Sequence, residues 1–315
     1  MPPEGTGEPA FDNVIPMPYR GVMQPNTVVI EPLPEAFLNS IDTVREYRAQ
    51  IEEFAARGAL FSINHSGGKD SQLLYAVLMT LVPAEQIEVV HADLGDEVEW
   101  LGVKEHIRAN IDHPLHIAQA IWSGENAAKY GEEKYLLDLV DQRGMWPTPA
   151  RRNCTSDLKR GPIQKVNRRL VQETGRTLVI NCMGLRAEES AQRAQAPVLK
   201  LDKGQSKAGR EVWNFNPIHS ATLDQVWEGI ELSGQTRHEA YDKGMSRLSC
   251  VFCIMASNAD LKTAAKHNPV LLAKYSDLEA QIGHTFRNGQ TLLEIVTDGD
   301  DSDVPFGDEL CDTYA

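Results

Sequence analysis

Residues 63–72, INHSGGKDSQ, place two glycines, two serines, a lysine and an aspartate directly after a short apolar run. Adjacent glycines let backbone N–H groups turn inward, and the start of the following helix adds a partial positive charge, so this pattern is typical of an anion site. The lysine supplies a full positive charge, and the serine hydroxyls can donate hydrogen bonds. The residues predicted to bind the phosphates of a nucleotide are Ser66, Gly67, Gly68, Lys69, Asp70 and Ser71.

Asp70 is the unexpected member of this loop, because a carboxylate beside a phosphate repels it unless a cation lies between them. Mg²⁺ is the usual cation in such sites, so we predict Asp70 as a magnesium ligand. The loop is not the nucleoside-triphosphate P-loop, in which four residues separate the first glycine from Gly-Lys-Ser/Thr. A plain strand-to-helix turn is the alternative, and the combination of residue types disfavours it.

The cysteines form a second group of residues with possible chemistry. Cys250 and Cys253 make a C-x-x-C pair, which by itself allows a zinc half-site, a redox pair or a coincidence. Cys182 lies in an apolar run and is predicted to be a core residue. An odd total of five cysteines argues against a secreted disulfide framework and for reduced thiols or metal ligation, so we expect a cytoplasmic protein.

The composition is that of a globular protein, with 42% hydrophobic and 24% charged residues over 315 positions. We find no apolar run of membrane-spanning length and no basic-then-apolar leader, so no membrane association is expected. The formal net charge of −14 disfavours broad nonspecific binding to nucleic acid. The charge is uneven, however, because residues 151–169 are strongly basic and residues 298–312 are strongly acidic.

Short apolar runs alternate with helical patterns along the first two thirds of the chain. Helices are predicted over residues 71–82 and 158–175, among strands at 60–64, 87–92, 115–119 and 177–184. Strands separated by helices of this length predict an α/β fold with a doubly wound parallel sheet. Ligands bind such sheets beyond the carboxyl ends of the strands, where HSGGKDS, DLGDE and GLRAEES fall.

The sequence divides into four predicted regions. A helix is expected to begin near Ser40 or Asp42, either of which can cap it, and to stop at Gly58. Residues 222–234, 258–268 and 269–283 also read as helices. The regions are a proline-rich extended arm (1–39), a nucleotide-binding α/β domain (40–220), a helical region with the C-x-x-C pair (221–297) and an acidic tail (298–315).

The loop resembles the pyrophosphate loop (PP-loop) of the ATP pyrophosphatases, a family that cleaves ATP between the α and β phosphates and adenylates a substrate. On roughly residues 58–260, the chain is identified as a member of the phosphoadenosine-phosphosulfate reductase-like branch, with the adenine nucleotide alpha-hydrolase-like fold that this implies. In kind it most resembles the ATP pyrophosphatase component of DNA phosphorothioation systems. The segments that carry the resemblance, in order, are HADLGDE (91–97), NCTSDLKRGPI (153–163), GLRAEESAQR (184–193), NPIHSATLDQVWEGI (216–230) and YDKGMSRLSCVFC (241–253).

The chain departs from the true reductases of this branch in two places. Their loops generally lack the Gly-Lys-Asp combination, and their catalytic cysteine stands in a Glu-Cys-Gly-Leu-His motif, whereas Cys311 lies in DELCDTYA. Both departures favour ATP as the nucleotide. The implied function is a Mg²⁺-dependent ATP pyrophosphatase that adenylates an acceptor for sulfur insertion, as in DNA phosphorothioate modification. The alternatives are a sulfonucleotide reductase producing sulfite, a tRNA-thiolating enzyme, and a nucleotide-binding partner in a larger complex.

The resemblance also implies roles for individual residues. Lys69, Asp70 and Arg186 are the expected catalytic residues, and Asp93, Gly184, Arg186 and Arg193 join the loop in binding nucleotide. Cys154, Cys250 and Cys253 are the expected ligands of an iron–sulfur cluster, a 4Fe-4S cluster with three cysteine ligands. Zinc held by the same cysteines and a histidine such as His267 is the open alternative, and Cys182 is a possible fourth cluster ligand.

The expected partners follow from the same resemblance. ATP is the nucleotide, and the basic stretch 151–169 is expected to hold an anionic acceptor such as DNA or another nucleic acid, or the 3′-phosphate of a sulfonucleotide. A cysteine desulfurase is the expected sulfur-donor protein, together with other proteins of a modification system. The residues expected to bind the acceptor are Arg151, Arg152, Lys159 and Arg160.

Overall fold

A computed structural model describes residues 29–298 and shows a six-stranded sheet in the order β3-β2-β1-β4-β6-β5. Neighbouring strands are parallel except for β5, which pairs antiparallel with β6. Strands β2 and β3 follow on one side of β1, and the chain then crosses to the other side of β1 to form β4. The predicted doubly wound α/β fold is therefore confirmed. The strands are β1 (Leu60–Asn64), β2 (Ile87–Asp93), β3 (Leu115–Gln119), β4 (Leu178–Cys182), β5 (Leu199–Leu201) and β6 (Glu211–Phe215).

Helices cover both faces of the sheet and make up most of the chain after β6. A π-helical turn, Ser156–Arg160, joins two of them into one continuous run. The helices are α1 (Glu35–Ser40), α2 (Asp42–Ala56), α3 (Lys69–Leu81), α4 (Val103–Ala109), α5 (Glu125–Tyr130), α6 (Leu136–Arg143), α7 (Asn153–Thr155), α8 (Gly161–Thr174), α9 (Ala191–Ala194), α10 (Leu223–Leu232), α11 (Glu239–Asp242), α12 (Asn258–His267), α13 (Pro269–Ile282) and α14 (Leu292–Thr297).

Two hydrophobic clusters hold these layers together. The larger one joins one face of the sheet to α1–α3, α10 and the C-terminal helices, so the sheet and the helical region after residue 221 share one core. Helix α3 is buried nearly all round, as its continuous apolar sequence dictates. The smaller cluster packs Val166 and Leu170 of α8 against the opposite face, where Leu60, Val179 and Val212 project. The strand carrying the phosphate loop is therefore fixed from both sides.

Three sequence-based expectations need correction. The extended arm was expected to reach residue 39, yet α1 is helical because Phe37 and Leu38 are buried in the main core. Neither Ser40 nor Asp42 caps α2, whose N-cap is Ile41, although Gly58 does adopt the left-handed conformation (φ +73°) that ends it. Strands β5 and β6 were missed because they are short and carry polar residues. Most of the arm and all but the first residue of the acidic tail, including Cys311, lie outside the described residues.

The sheet order places a topological switch point between β1 and β4, the two strands from which the chain winds in opposite directions. In open α/β sheets, ligands bind outside the carboxyl ends of the strands at such a point. The loop 65–68 follows β1, and the segment 183–186 follows β4. The fold therefore brings the two predicted nucleotide-binding segments together at the position where a ligand is expected.

Candidate functional site

The loop after β1 has the geometry of an anion cradle. Gly67 has φ +79°, which a residue with a side chain rarely adopts, and this conformation turns the chain into the start of α3. The Ser66 N–H donates to Ser71 Oγ (3.2 Å), and the Ser71 hydroxyl donates to the Gly68 carbonyl (2.7 Å). The serines thus hold the loop in shape around the N-terminus of the 13-residue helix α3.

Lys69 is buried at the first position of α3. Its backbone N–H donates to the hydroxyl oxygen of Tyr241 (2.9 Å), and its Nζ donates to the Ser246 carbonyl (3.4 Å) and to Asp70 Oδ2 (3.3 Å). Burial raises the pKa of Tyr241 to about 12, so its hydroxyl stays protonated. The segment 241–246 therefore reaches across the sheet edge and fixes the lysine at the loop.

Asp70 is held by a second cation, Arg186, which follows β4. Arg186 Nε donates to Asp70 Oδ1 (2.7 Å), and Nη1 donates to Glu188 Oε2 (2.6 Å) and to the Ala221 carbonyl (3.1 Å). A Cβ on Gly184 would lie 2.8 Å from the Asp70 carbonyl oxygen, so only glycine permits this close approach of the two segments. Predicted catalytic residues Lys69, Asp70 and Arg186 thus form one ion-paired group.

Two further predicted nucleotide-binding residues lie in their own networks. Arg193 of α9 pairs with Glu189, and its backbone N–H is accepted by a serine side chain at the helix N-cap. Asp93 accepts the Gly95 N–H through Oδ1 (2.9 Å) and pairs through Oδ2 with Lys104 Nζ (3.2 Å). The contacts of Arg193 and Asp93 do not join the Lys69–Asp70–Arg186 group directly.

A neutral histidine underlies the loop. His65 is buried, and burial, with smaller contributions from His106 and His91, lowers its pKa to about 3. Its Nδ1 accepts the Gly67 N–H (3.1 Å), and its carbonyl lies 2.9 Å from His91 Nδ1. His91 Nε2 in turn lies 3.2 Å from Glu99 Oε2. No role was predicted for His65, and the structure shows it supporting the glycine turn.

The three predicted cluster ligands lie close enough to interact electrostatically. Burial raises the pKa of Cys154 and raises that of Cys250 to about 12, and each of these thiols also interacts electrostatically with Cys253. Lys159 lies on the π-helical turn and faces all three. Burial lowers its pKa, the cysteines raise it, and the net shift is upward. The expectation that Lys159 binds the acceptor stays a prediction, and the structure adds that its charge interacts with the three thiols.

The donor atoms can be tested against the metals that the sequence implies. Over residues 29–298, no group of three or more His, Cys, Asp or Glu side chains is arranged to hold a metal ion as it stands. Cys154, Cys250 and Cys253 nevertheless match, in chemical kind and in number, the three thiolate ligands of a cluster with one open iron. The single carboxylate of Asp70 is enough for a Mg²⁺ site, because Mg²⁺ takes only one or two carboxylates when phosphates supply further ligands. Cys182 is buried in the core on β4, as predicted.

The remaining predicted acceptor residues are on the surface. Arg151, Arg152 and Arg160 are exposed and therefore accessible to a large anion, and among residues 29–298 no side-chain hydrogen bond or ion pair joins them to the loop site. No helix within the described part of the chain is long and apolar enough to cross a membrane.

Sequence reasoning missed several residues that complete the site. Tyr241 and Ser246 hold Lys69 from a segment about 170 positions away, and Glu188 shares Arg186 with Asp70. The first two lie in YDKGMSRLSCVFC, which was recognised as a family segment but given no role except for its cysteines. Ordinary hydroxyl and carbonyl contacts leave no pattern in a single sequence, so no signal identified them.

Comparison with known families gives one extended match. The profile of the phosphoadenosine phosphosulfate reductase domain matches residues 61–256. A curated relative, an uncharacterized 37.8 kDa protein in the gpa 5′ region of Escherichia phage 186, is 27% identical over 159 residues, which make up 50% of this chain and 46% of that protein. The chain thus spans about half the length of the curated relative that it matches.

Solved structures show weaker likenesses. The chain is similar to phosphoadenylyl-sulfate reductase of Candida auris in its phosphate complex (16% identity, TM-score 0.42, 70% of this chain and 97% of that one). It is also similar to FMN adenylyltransferase of Candida glabrata with FMN and the ATP analogue AMPCPP (12% identity, TM-score 0.37, 69% of this chain and 68% of that one). A third similar structure is the U34-tRNA thiolase NcsA of Methanococcus maripaludis with its 4Fe-4S cluster (11% identity, TM-score 0.36, 76% of this chain and 76% of that one). All three scores lie below 0.5, so no functional argument rests on them.

Proposed function

The chain belongs to the phosphoadenosine phosphosulfate reductase domain family, and on this premise we propose that it is a Mg²⁺-dependent ATP pyrophosphatase. It adenylates an acceptor for sulfur insertion, and the acceptor is DNA that becomes phosphorothioated. The observation that carries the proposal is the pair of buried cations, Lys69 and Arg186, joined by Asp70 beside the glycine turn.

The arrangement suits a leaving group of high negative charge. An acceptor oxygen attacks the α-phosphorus of ATP, the bond from that phosphorus to the oxygen bridging to the β-phosphate breaks, and pyrophosphate leaves with the electron pair. Preorganised cations and N–H donors stabilise charge that develops on the leaving oxygen. Lys69, Arg186 and the N-terminus of α3 supply such charge at one point.

Asp70 is the residue that would hold Mg²⁺, which when bound neutralises the β- and γ-phosphates. In the structure its carboxylate is paired with Lys69 and Arg186 at 3.3 and 2.7 Å. This pairing keeps two cations side by side before the nucleotide arrives. Asp70 therefore prevents mutual repulsion of Lys69 and Arg186 and keeps both aimed at the loop.

Cys154, Cys250 and Cys253 would hold the iron–sulfur cluster. When bound, a cluster with three protein ligands supplies an open iron position at which sulfur can bind. Sulfur would come as a persulfide from a cysteine desulfurase, and a thiol would reduce it to the sulfide level and leave as a disulfide. That sulfur would then attack the adenylated acceptor and displace AMP. Lys159 faces these cysteines and offsets the negative charge that three thiolates bring into a buried place.

The first test is pyrophosphate release from ATP by anaerobically prepared enzyme, with Mg²⁺ and with DNA or tRNA as acceptor. Lys69→Ala should lower kcat about 10²- to 10³-fold, as removal of one preorganised charge from a reaction centre does, whereas exposed Lys129→Ala should leave it unchanged. Absence of pyrophosphate with every acceptor and partner tried would refute the proposal.

The cluster is tested separately from turnover. Iron and acid-labile sulfide should fall sharply in Cys154→Ser, while Cys182→Ser, a change in the core strand β4, should keep both. Equal cluster contents in the two variants would show that Cys154 is not a ligand.

Reduction of a sulfonucleotide is the second candidate, because the matching family is described by that reaction. Sulfite release from phosphoadenylyl sulfate or adenylyl sulfate with thioredoxin, abolished by Cys311→Ser, would establish it. Release of pyrophosphate from ATP with full activity in Cys311→Ser would exclude it.

A further inference from the structure

Three asparagines on neighbouring strands form a hydrogen-bonded row across the sheet, and the proposed chemistry does not use them. Asn64 Nδ2 donates to Asn181 Oδ1 (2.9 Å), and Asn181 Nδ2 donates to Asn214 Oδ1 (2.8 Å). Asn214 Nδ2 then donates to Asp202 Oδ2 (3.3 Å). We call Asn64, Asn181 and Asn214 the amide row. Since Asn64 is the last residue of β1, the row begins directly beside the phosphate loop.

The amide row is accessible although it lies within a mainly parallel sheet. Both faces of such sheets are normally covered, and their strands are mostly apolar. Here α8 packs mainly against β1, β2 and β3, and its Val166 and Leu170 share a buried cluster with Val179 of β4 and Val212 of β6. Asn181 and Asn214, further along those two strands, nevertheless stay partly exposed. Lys200 on edge strand β5 pairs with Asn214 in the antiparallel register, so it shares that face and is exposed. A partly exposed polar strip therefore runs from the loop to the sheet edge.

The hydrogen bonds of the row all point the same way. Each amide donates toward the sheet edge, and the chain ends on the carboxylate of Asp202, so the bonds polarise one another. The acceptor at the other end, Asn64 Oδ1, is buried and has no hydrogen-bond partner among the described residues. A buried acceptor without a partner costs free energy unless a ligand supplies a donor.

Cations border the row at the sheet edge. Besides Lys200, Arg168 of α8 donates to Gln205 Oε1 (3.3 Å), and Arg210 donates to the Gln205 carbonyl (2.9 Å). The Gln205 N–H is accepted by Asp202 Oδ1 (3.1 Å), the same carboxylate that ends the row. Arg168 and Arg210 are thus connected to the amide row by hydrogen bonds through Gln205 and Asp202.

We propose that the amide row and Lys200 bind a single strand of nucleic acid, which is the acceptor; this rests on the proposed function. Side-chain amides pair with base edges through adjacent donor and acceptor atoms, and lysine and arginine neutralise phosphates. Three strand spacings make the path from Asn64 to Lys200 about 14 Å, enough for a few nucleotides. The strand enters over the β5 edge and reaches the loop where ATP is cleaved.

The test is binding of fluorescein-labelled single-stranded oligodeoxynucleotides, measured by anisotropy at several salt concentrations without ATP. Lys200→Ala should weaken binding about three- to tenfold and lower the slope of log affinity against log salt by about 1. Asn214→Ala should weaken the best-bound homopolymer about tenfold. Its former partners are half-exposed, so water can replace the lost amide and the variant should fold.

Lys129→Ala is the matched control, because this exposed lysine lies on α5, which follows β3, the strand at the opposite edge of the sheet. It should bind the oligonucleotides as the wild type does. Equal losses in Lys200→Ala and Lys129→Ala would indicate general electrostatics and overturn the proposal. No binding by the wild type would also overturn it.

Binding of AMPCPP separates this proposal from the proposed function. If Asn214→Ala weakens binding of AMPCPP and not of oligonucleotide, the row belongs to the nucleotide site and the proposal is wrong. If the expected oligonucleotide losses occur but no pyrophosphate is released from ATP, the proposed reaction fails while the binding surface stands. If pyrophosphate is released and the row variants bind like the wild type, only the present inference fails.

Discussion

The ion pair between Asp70 and Arg186 allows a quantitative test of how burial strengthens the site. Arg186 has 5% of its side chain exposed and Asp70 has 20%, with 2.7 Å between Nε and Oδ1. Arg186→Gln leaves Asp70 with Lys69 alone and frees the Ala221 carbonyl. Breaking a buried pair costs about 3–5 kcal/mol, and we expect about 3 kcal/mol because Asp70 keeps one partner.

A double-mutant cycle isolates the interaction itself. The free energy of unfolding of the wild type, Asp70→Asn, Arg186→Gln and the double variant should give a coupling energy of about 2 kcal/mol, within the range for residues in contact. Urea unfolding followed by circular dichroism is the assay. With a slope of about 3 kcal/mol per molar urea, Arg186→Gln alone should lower the midpoint by about 1 M.

The pair Asp42–Arg45 on α2 is the matched control, since its 2.5 Å separation is similar but the two side chains are 62% and 52% exposed. Its cycle should give about 0.3 kcal/mol, as exposed pairs three or four positions apart do. A coupling energy for Asp70–Arg186 no larger than that of Asp42–Arg45 would refute the reasoning that burial makes the Asp70–Arg186 pair strong.

Three further changes test the structure around the loop. Gly184→Ala should cost about 1–3 kcal/mol of unfolding free energy, because its Cβ would lie 2.8 Å from the Asp70 carbonyl oxygen, which is backbone. The folded protein has a His65 pKa of about 3, so between pH 6.5 and pH 3 His65 binds a proton only in the unfolded chain. The free energy of unfolding therefore falls as the pH drops through this range, and His65→Asn should reduce that pH dependence by about 1.4 kcal/mol per pH unit. Tyr241→Phe leaves the Lys69 N–H without its 2.9 Å acceptor, and should cost about 1–3 kcal/mol and raise KM for ATP.

Each of these changes has a control. In Gly204→Ala the added Cβ would contact only the flexible Asp202 side chain, so this variant protein should unfold near the wild-type melting temperature. Tyr47→Phe, whose ring packs against Phe215, should leave KM for ATP unchanged. An unchanged slope of stability against pH between 6 and 4 in His65→Asn would contradict the burial argument. Equal KM values in the two tyrosine variants would contradict the role of the Tyr241 hydroxyl.

Much of the fold could be predicted because its signals are local. The strands β1 to β4 are apolar runs separated by helical patterns, and this alternation alone indicates a parallel doubly wound sheet. Strands β5 and β6 could not be predicted, because EVWNF mixes polar and aromatic residues and LKL has only three residues. Their pairing is settled by contacts with β4 and with each other, which are distant in sequence.

The candidate site divides in the same way. The glycine turn, the lysine and the aspartate are contiguous in sequence, so residues 66–71 indicated an anion site directly. The partner of Asp70 was not indicated, because Arg186 comes 116 positions later and was assigned only by resemblance to phosphate contact. The interaction of Lys159 with the cysteines was not indicated either, because a run of basic residues does not show which member lies near them; the π-helical turn carries that residue.

The sequence by itself determined which runs become strands of an α/β sheet, and it placed the glycines, lysine and aspartate of residues 66–71 in one loop. Each depends on neighbouring residues whose spacing is fixed by the covalent chain. Only the tertiary structure decided how distant residues combine: Tyr241 with Lys69, Lys159 with three cysteines, and Asn64, Asn181 and Asn214 in one row. These groupings follow from strand order and register, which are set by the packing of the whole sheet.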